Sequence, residues 1–176
     1  MGYQADFAQA QRNTAALGFV VPPVATVSGR RITEEHGAEL MARLTRFYPS
    51  PALFALQCAS RTSELRPTVE EVIGMQCTIT VGSLHIQGHP LFAFELSKFP
   101  AMGRTGTYHV WLTASNGEVV DLTAMVSLHD AFGKPLDEAV PIAGFPDAIP
   151  PFEWVPELVG DDALSALLAD AATGYR

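Results

Sequence analysis

The sequence predicts an α+β fold, and three observations predict it. Helical apolar spacing dominates the first 74 residues, strand alternation dominates residues 75–123, and an amphipathic helix closes the chain. The expected architecture is a set of N-terminal helices packed on an antiparallel β-sheet. With 176 residues, 48% of them hydrophobic and 17% charged, the chain is long enough for one domain, 1–176, with a real core.

Residues 1–29 read as a helix around Asp6 to Leu17 followed by an extended arm, because Pro22-Pro23 excludes helix there. Thr33 opens the next helix. Thr33 and His36 do not match the usual capping box, but Glu34 and Glu35 sit on the first turn, where the helix dipole favours carboxylates. Leu40, Leu44 and Phe47 keep helical spacing to about Tyr48, and Pro49-Ser50-Pro51 stops it. Two readings follow. Ser50 and Pro51 start a helix with Cys58 in its middle, or Pro51 to Gln57 is irregular and a helix starts at Cys58. Thr68 to Glu71 reads as a separate short helix ended by Gly74.

Met75 to Leu84 alternates as a strand, residues 85–90 turn, and Leu91 to Leu96 is a further strand. Lys98 to Gly106 reads as a flexible loop that runs into a possible site strand and suits a substrate cover, through Gly103, Arg104 and Gly106. Residues 126–176 are expected to form a Pro-rich tail, with short extended pieces near Val140 and Phe152 to Val155, and then a helix. Asp161 or Asp162 caps that helix, and Leu164, Leu167, Leu168 and Ala171 form its stripe.

The most informative stretch is Thr107 to Thr123, a β-hairpin that turns at Asn116-Gly117. A two-residue loop pairs Leu112 with Asp121 and sends Asp121 to the face opposite His109. A three-residue loop, with Gly117 left-handed, pairs Ala114 with Glu118 and Trp111 with Asp121. His109, Trp111 and Asp121 then share a face, with diagonal Cβ atoms roughly 7 Å apart. The three-residue loop is expected, because glycine tolerates the left-handed position.

Composition excludes several function classes. The net charge is −8, and Lys98 and Lys134 are the only lysines, so the clustered cations of a nucleic-acid partner are absent. No apolar run approaches the roughly 18 residues of a membrane span. The start MGYQADFAQAQRN has neither a basic segment nor an apolar core, which gives a cytoplasmic expectation. Asp6 stands where a myristoylation signal takes Ser or Thr. There is no phosphate loop or dinucleotide fingerprint, so no cofactor is expected. His85, His89, His129 and Asp130 lack a ligand-spacing motif, so no metal is expected either.

Two cysteines, Cys58 and Cys77, are no disulfide scaffold. Cysteine chemistry needs a thiolate, promoted by a helix N-terminus or an imidazole, and a carboxylate to orient that imidazole. Cys58, His109 and Asp121 supply one of each. Trp111 would flank them, and Gln57 directly precedes the thiol. Cys77, in an alternating strand with Ile79, reads as a buried structural residue.

These residues resemble a family. Cys58, then Val81 to Leu84, then His109-Val110-Trp111, then Val119-Val120-Asp121-Leu122-Thr123 looks like the transglutaminase-like branch of the papain-like thiol enzymes, over residues 50–125. The resemblance implies a papain/transglutaminase-like core and a cysteine-dependent hydrolase or acyltransferase acting on an amide or thioester. Its substrate would be a peptide, a protein side chain or a small molecule. Cys58 would attack, His109 would shuttle the proton and Asp121 would orient His109, with Trp111 and Gln57 binding substrate. No side chain matches a family oxyanion donor, which leaves the Cys58 backbone N–H. The alternative is a non-catalytic binding or adaptor module of the same fold. Its partner surface would lie on an exposed tail around Phe145, Phe152 and Trp154 with Pro146, Pro150, Pro151 and Pro156.

Overall fold

The structure, a computed structural model, describes residues 2–23 and 29–173; residues 24–28 of the extended arm lie outside them. The chain is α+β, with six helices and an open antiparallel sheet of six strands among the described residues. In chain order these are α1 (Tyr3–Ala16), α2 (Glu34–Phe47), α3 (Cys58–Ile73), β1 (Cys77–Ile86), β2 (His89–Phe92), α4 (Met102–Thr105), β3 (His109–Ala114), β4 (Val119–Asp121), α5 (Ala124–Ala131), β5 (Ile142–Gly144), β6 (Phe152–Val159) and α6 (Asp161–Thr173). The residues fall into two compact units, each built from separated stretches. The first takes the described residues up to 23, then 78–110 and 146–173; the second takes 29–77 and 111–145. None of the described helices is long and apolar enough to cross a membrane.

In the first unit β1 pairs antiparallel with both β2 and β6. Gln87 and Gly88 both take positive φ, 53° and 76°, the two-residue turn that matches strand twist. The tight turn starts β2 at His89, earlier than the alternation implied. The β1–β6 ladder runs from Thr80↔Val159 to Ile86↔Phe152, with a register shift between Val81 and Gly82. A Cβ added at Gly82 would lie 2.0 Å from the Val155 carbonyl oxygen, so only glycine lets the strands approach there. Pro156 pairs with Gly82 at this irregularity, where a missing N–H is tolerated.

The extended pieces and closing helix expected in the C-terminal stretch are β5, β6 and α6, with β6 longer than expected. Of the residues expected to form a partner surface there, Trp154 is 2% exposed and Pro146 and Pro156 are buried, whereas Phe145 and Phe152 are half-buried and Pro150 and Pro151 are exposed.

Helix α1 covers β6 with Tyr3, Phe7, Ala10 and Thr14, spaced for one helix face. The Val159 N–H donates to Thr14 Oγ1 at 2.8 Å, and Asn13 Nδ2 donates to the Glu157 carbonyl at 3.1 Å. Burial, with the Asp6 charge second, pushes the Glu157 carboxyl up from its usual range. Helix α6 buries Ala163, Leu164 and Leu167, while Leu168 stays 41% exposed. A fully buried leucine contributes about 1.5–3 kcal/mol.

Residues 98–106, expected to be a flexible loop from their glycines, are not all irregular. They contain α4, which packs on α6. A Cβ on Gly103 would lie 2.1 Å from the Leu167 carbonyl oxygen, and Arg104 Nε pairs with Asp170 at 3.2 Å. The glycine there permits contact rather than motion.

In the second unit Thr33 and His36 form a reciprocal cap on α2, which the absence of Glu or Gln had argued against. Thr33 N–H donates to His36 Nδ1 at 3.0 Å, so the imidazole takes the carboxylate's usual part. Helix α3 runs through Pro67, so residues 68–71 are not a separate helix. Its buried residues Cys58, Thr62, Leu65, Val69 and Ile73 recur every three or four positions, whereas Pro67 lies on the exposed side. Gly74 ends it at φ 63°. Arg43 ties α2 to α3 through Glu71 at 2.9 Å.

Strands β3, β4 and β5 form an antiparallel meander; β3 starts in the first unit with His109 and Val110 and continues in the second. Residues 124–131, most of them in the stretch expected to be a Pro-rich tail, form α5.

Two outcomes test this packing. Gly103→Ala should destabilise the protein by about 1–3 kcal/mol in urea titration, because the added methyl overpacks the α4–α6 contact. A raised folded-state acid stabilises the fold below its unfolded pKa and loses that contribution as pH rises through the folded value. Glu157→Gln should therefore raise the melting temperature at pH 7 and leave it unchanged at pH 4.

Candidate thiol site

Cys58 is the first residue of α3, which settles its two possible placements. Pro51 opens only one 3-10 turn, Pro51–Phe54, with Ser50 making no side-chain cap bond. Leu56 then takes φ 57°, a left-handed conformation rare for a leucine, and the chain enters α3 through Gln57. The Leu56 N–H donates to Ser127 Oγ at 3.2 Å. Cys58 is buried at 8% exposure, whereas Leu56 just before it is 64% exposed. First-turn amides and the helix dipole favour negative charge at such a position.

Gln57 makes no side-chain cap bond to α3. Its Oε1 instead accepts from Ser60 Oγ at 3.1 Å, on the exposed surface. The amide is accordingly held at the surface against the first turn of α3.

The hairpin takes the three-residue loop. Gly117 has φ 88°, its N–H donates to the Ala114 carbonyl at 2.8 Å, and the Ala114 N–H donates to the Glu118 carbonyl at 2.8 Å. The register pairs Leu112 with Val120 and Thr113 with Val119, which continues to Trp111 opposite Asp121. Trp111 is fully buried, as a core residue would be. Along β3 the side chains of His109, Trp111 and Thr113 alternate with those of Val110, Leu112 and Ala114.

Asp121 is fully buried at the end of β4. Its Oδ1 accepts the Thr123 N–H at 3.1 Å and the Ala124 N–H at 2.9 Å, so it holds the first turn of α5. That bonding accounts for the Asp-x-Thr spacing without any chemistry, and it also fixes the carboxylate rigidly. His109 is fully buried in the first unit, where its ring stacks on Phe92 at 5.0 Å and 12°. Cys58, Gln57, Trp111 and Asp121 belong to the second unit.

His85 Nδ1 lies 3.6 Å from Glu153, and His129 Nδ1 lies 2.6 Å from the Pro135 carbonyl oxygen. Among the described residues no group of three or more His, Cys, Asp or Glu side chains is arranged to hold a metal ion. The sequence reading did not find Ser127 or the left-handed Leu56. The signal for Ser127 was its place four residues after Thr123, one turn into a helix that Asp121 starts.

Burial, with the Glu70 charge second, pushes the Cys77 thiol up to about 12. Its N–H donates to Glu70 Oε1 at 2.8 Å. Cys77 should therefore resist alkylation in the folded protein up to pH 9, and react only once urea unfolds it, as mass spectrometry of the labelled peptides would show. Searches of family models, curated proteins and solved structures find no match to this chain, so the resemblance rests on the residues quoted for it.

Proposed function

We propose that the protein is a cysteine-dependent hydrolase or acyltransferase with a transglutaminase-like core, acting on an amide or thioester. Cys58 is the nucleophile, His109 the general base and acid, and Asp121 the residue that orients the imidazole. One observation carries the reading: Cys58 stands at the first position of a 16-residue helix, directly after the exposed Leu56 and Gln57. The rigid, buried Asp121 carboxylate and its register opposite Trp111 support it.

In this reading His109 takes the thiol proton and Cys58 sulfur attacks the acyl carbon. The developing oxyanion faces the Cys58 backbone N–H at the helix start. His109 then protonates the leaving amine or thiol as the carbon–nitrogen or carbon–sulfur bond breaks. Water or an amine attacks the thioester in turn and restores the free thiol. Gln57 meets substrate at the surface, and Trp111 keeps bulk water from the imidazole–carboxylate pair.

Iodoacetamide at pH 6 tests this without a known substrate. Wild type should be labelled at Cys58, Cys58→Ala should not be labelled, and His109→Ala should react at least about tenfold more slowly. Equal labelling of Cys58 in wild type and His109→Ala would overturn the pair. The remaining reading would then be a binding module.

A further inference from the structure

A leucine is a poor choice for a left-handed backbone position, because its Cβ crowds the following carbonyl. Such a conformation persists only where its surroundings hold it. Leu56 has φ 57° and sits two residues before Cys58. Hydrophobic anchoring of its side chain does not explain the conformation, since Leu56 is 64% exposed.

Two bonds hold it: the Gln57 N–H donates to the Phe54 carbonyl at 3.1 Å, closing a turn around Ala55 and Leu56, and α5 supplies the second. The Leu56 N–H donates to Ser127 Oγ at 3.2 Å, and Ser127 is only 2% exposed. Ser127 is itself fixed along the helix, with its N–H donating to the Thr123 carbonyl at 2.9 Å. The same first turn is bound by Asp121 Oδ1 through the Thr123 and Ala124 N–H groups. One short helix thus joins the carboxylate at the end of β4 to the peptide that leads into α3.

We infer that Ser127 is a positioning residue for the Cys58 thiol, acting by locking Leu56 in the left-handed conformation that sets where α3 begins. The inference rests on the thiol reading proposed above. Ser127 touches no reacting atom. Without its oxygen, Leu56 relaxes toward the ordinary right-handed region, the Leu56–Gln57 peptide rotates, and the sulfur moves with the start of the helix. Glycine at position 56 takes the left-handed conformation without crowding and so no longer depends on the clamp.

The test is the rate of iodoacetamide labelling at Cys58 at pH 6, measured on the full chain by peptide mass spectrometry. Ser127→Ala should slow it at least about fivefold, and Ser127→Thr, which keeps a hydroxyl, should stay within about twofold of wild type. Leu56→Gly and Leu56→Gly/Ser127→Ala should react at equal rates, a rescue that simple loss of a packing contact would not show. The double variant also gives the answer if Ser127→Ala alone fails to fold. An unchanged rate in Ser127→Ala, or a double variant slower than Leu56→Gly, overturns the inference and leaves the thiol reading intact. A folded wild type that takes no label at Cys58 sinks the thiol reading and this inference together.

Discussion

The left-handed Gly117 sets a register on which much of the second unit depends. A strand shifted by one residue turns every side chain to the opposite face, so a two-residue loop would have put Asp121 where Val120 now lies. Neighbouring side chains brace the loop against that slip. Asn116 Oδ1 accepts the Glu118 N–H at 3.0 Å, and the buried Glu118 carboxylate takes the Ile32 N–H at 2.7 Å. With Asp121 fixed, β5 pairs on one side through Asp121↔Ile142, and α5 starts from the same carboxylate. A turn residue, a sheet edge and a helix start are one connected constraint.

The two cysteines show how far backbone context outweighs residue type. Cys77 opens a strand buried through eight consecutive positions, with a carboxylate nearby. Both features oppose a sulfur anion. Cys58 opens a helix, where the peptide dipoles favour one, and its neighbours Leu56 and Gln57 are exposed. Had α3 begun at Pro51, Cys58 would have lain two turns inside it and lost that advantage.

Much of this was legible from local pattern. The hairpin, its register, the stop at Gly74 and the final helix all follow from period, glycine and caps within a few residues. The failures share a cause, which is that distant chain supplied what local sequence lacked. Pro67 looked like a boundary, but it falls on the exposed side of α3, where a lost backbone bond is met by solvent. Gly103 looked like a hinge until α6 lay against it. The eight-residue α5 is too short to announce itself by periodicity, and its start is held by a side chain on the preceding strand. For the thiol site, the hairpin half could be read, and the helix start could be narrowed to two choices. The Ser127–Leu56 bond joins residues 71 apart, a span no local rule reaches.

The interleaved make-up of the two units bears on how the chain acquires its structure during synthesis. Once residue 145 has cleared the ribosome, every stretch of the second unit exists, whereas the first still lacks β6 and α6. Until they emerge, α1 has no strand to cover and the Gly103 face of α4 has no helix to meet. Helix α1 must therefore wait for β6, whose Glu157 lies 144 residues after its partner Asn13, a long-range closure of the kind that folds slowly and leaves apolar surface open to chaperones meanwhile.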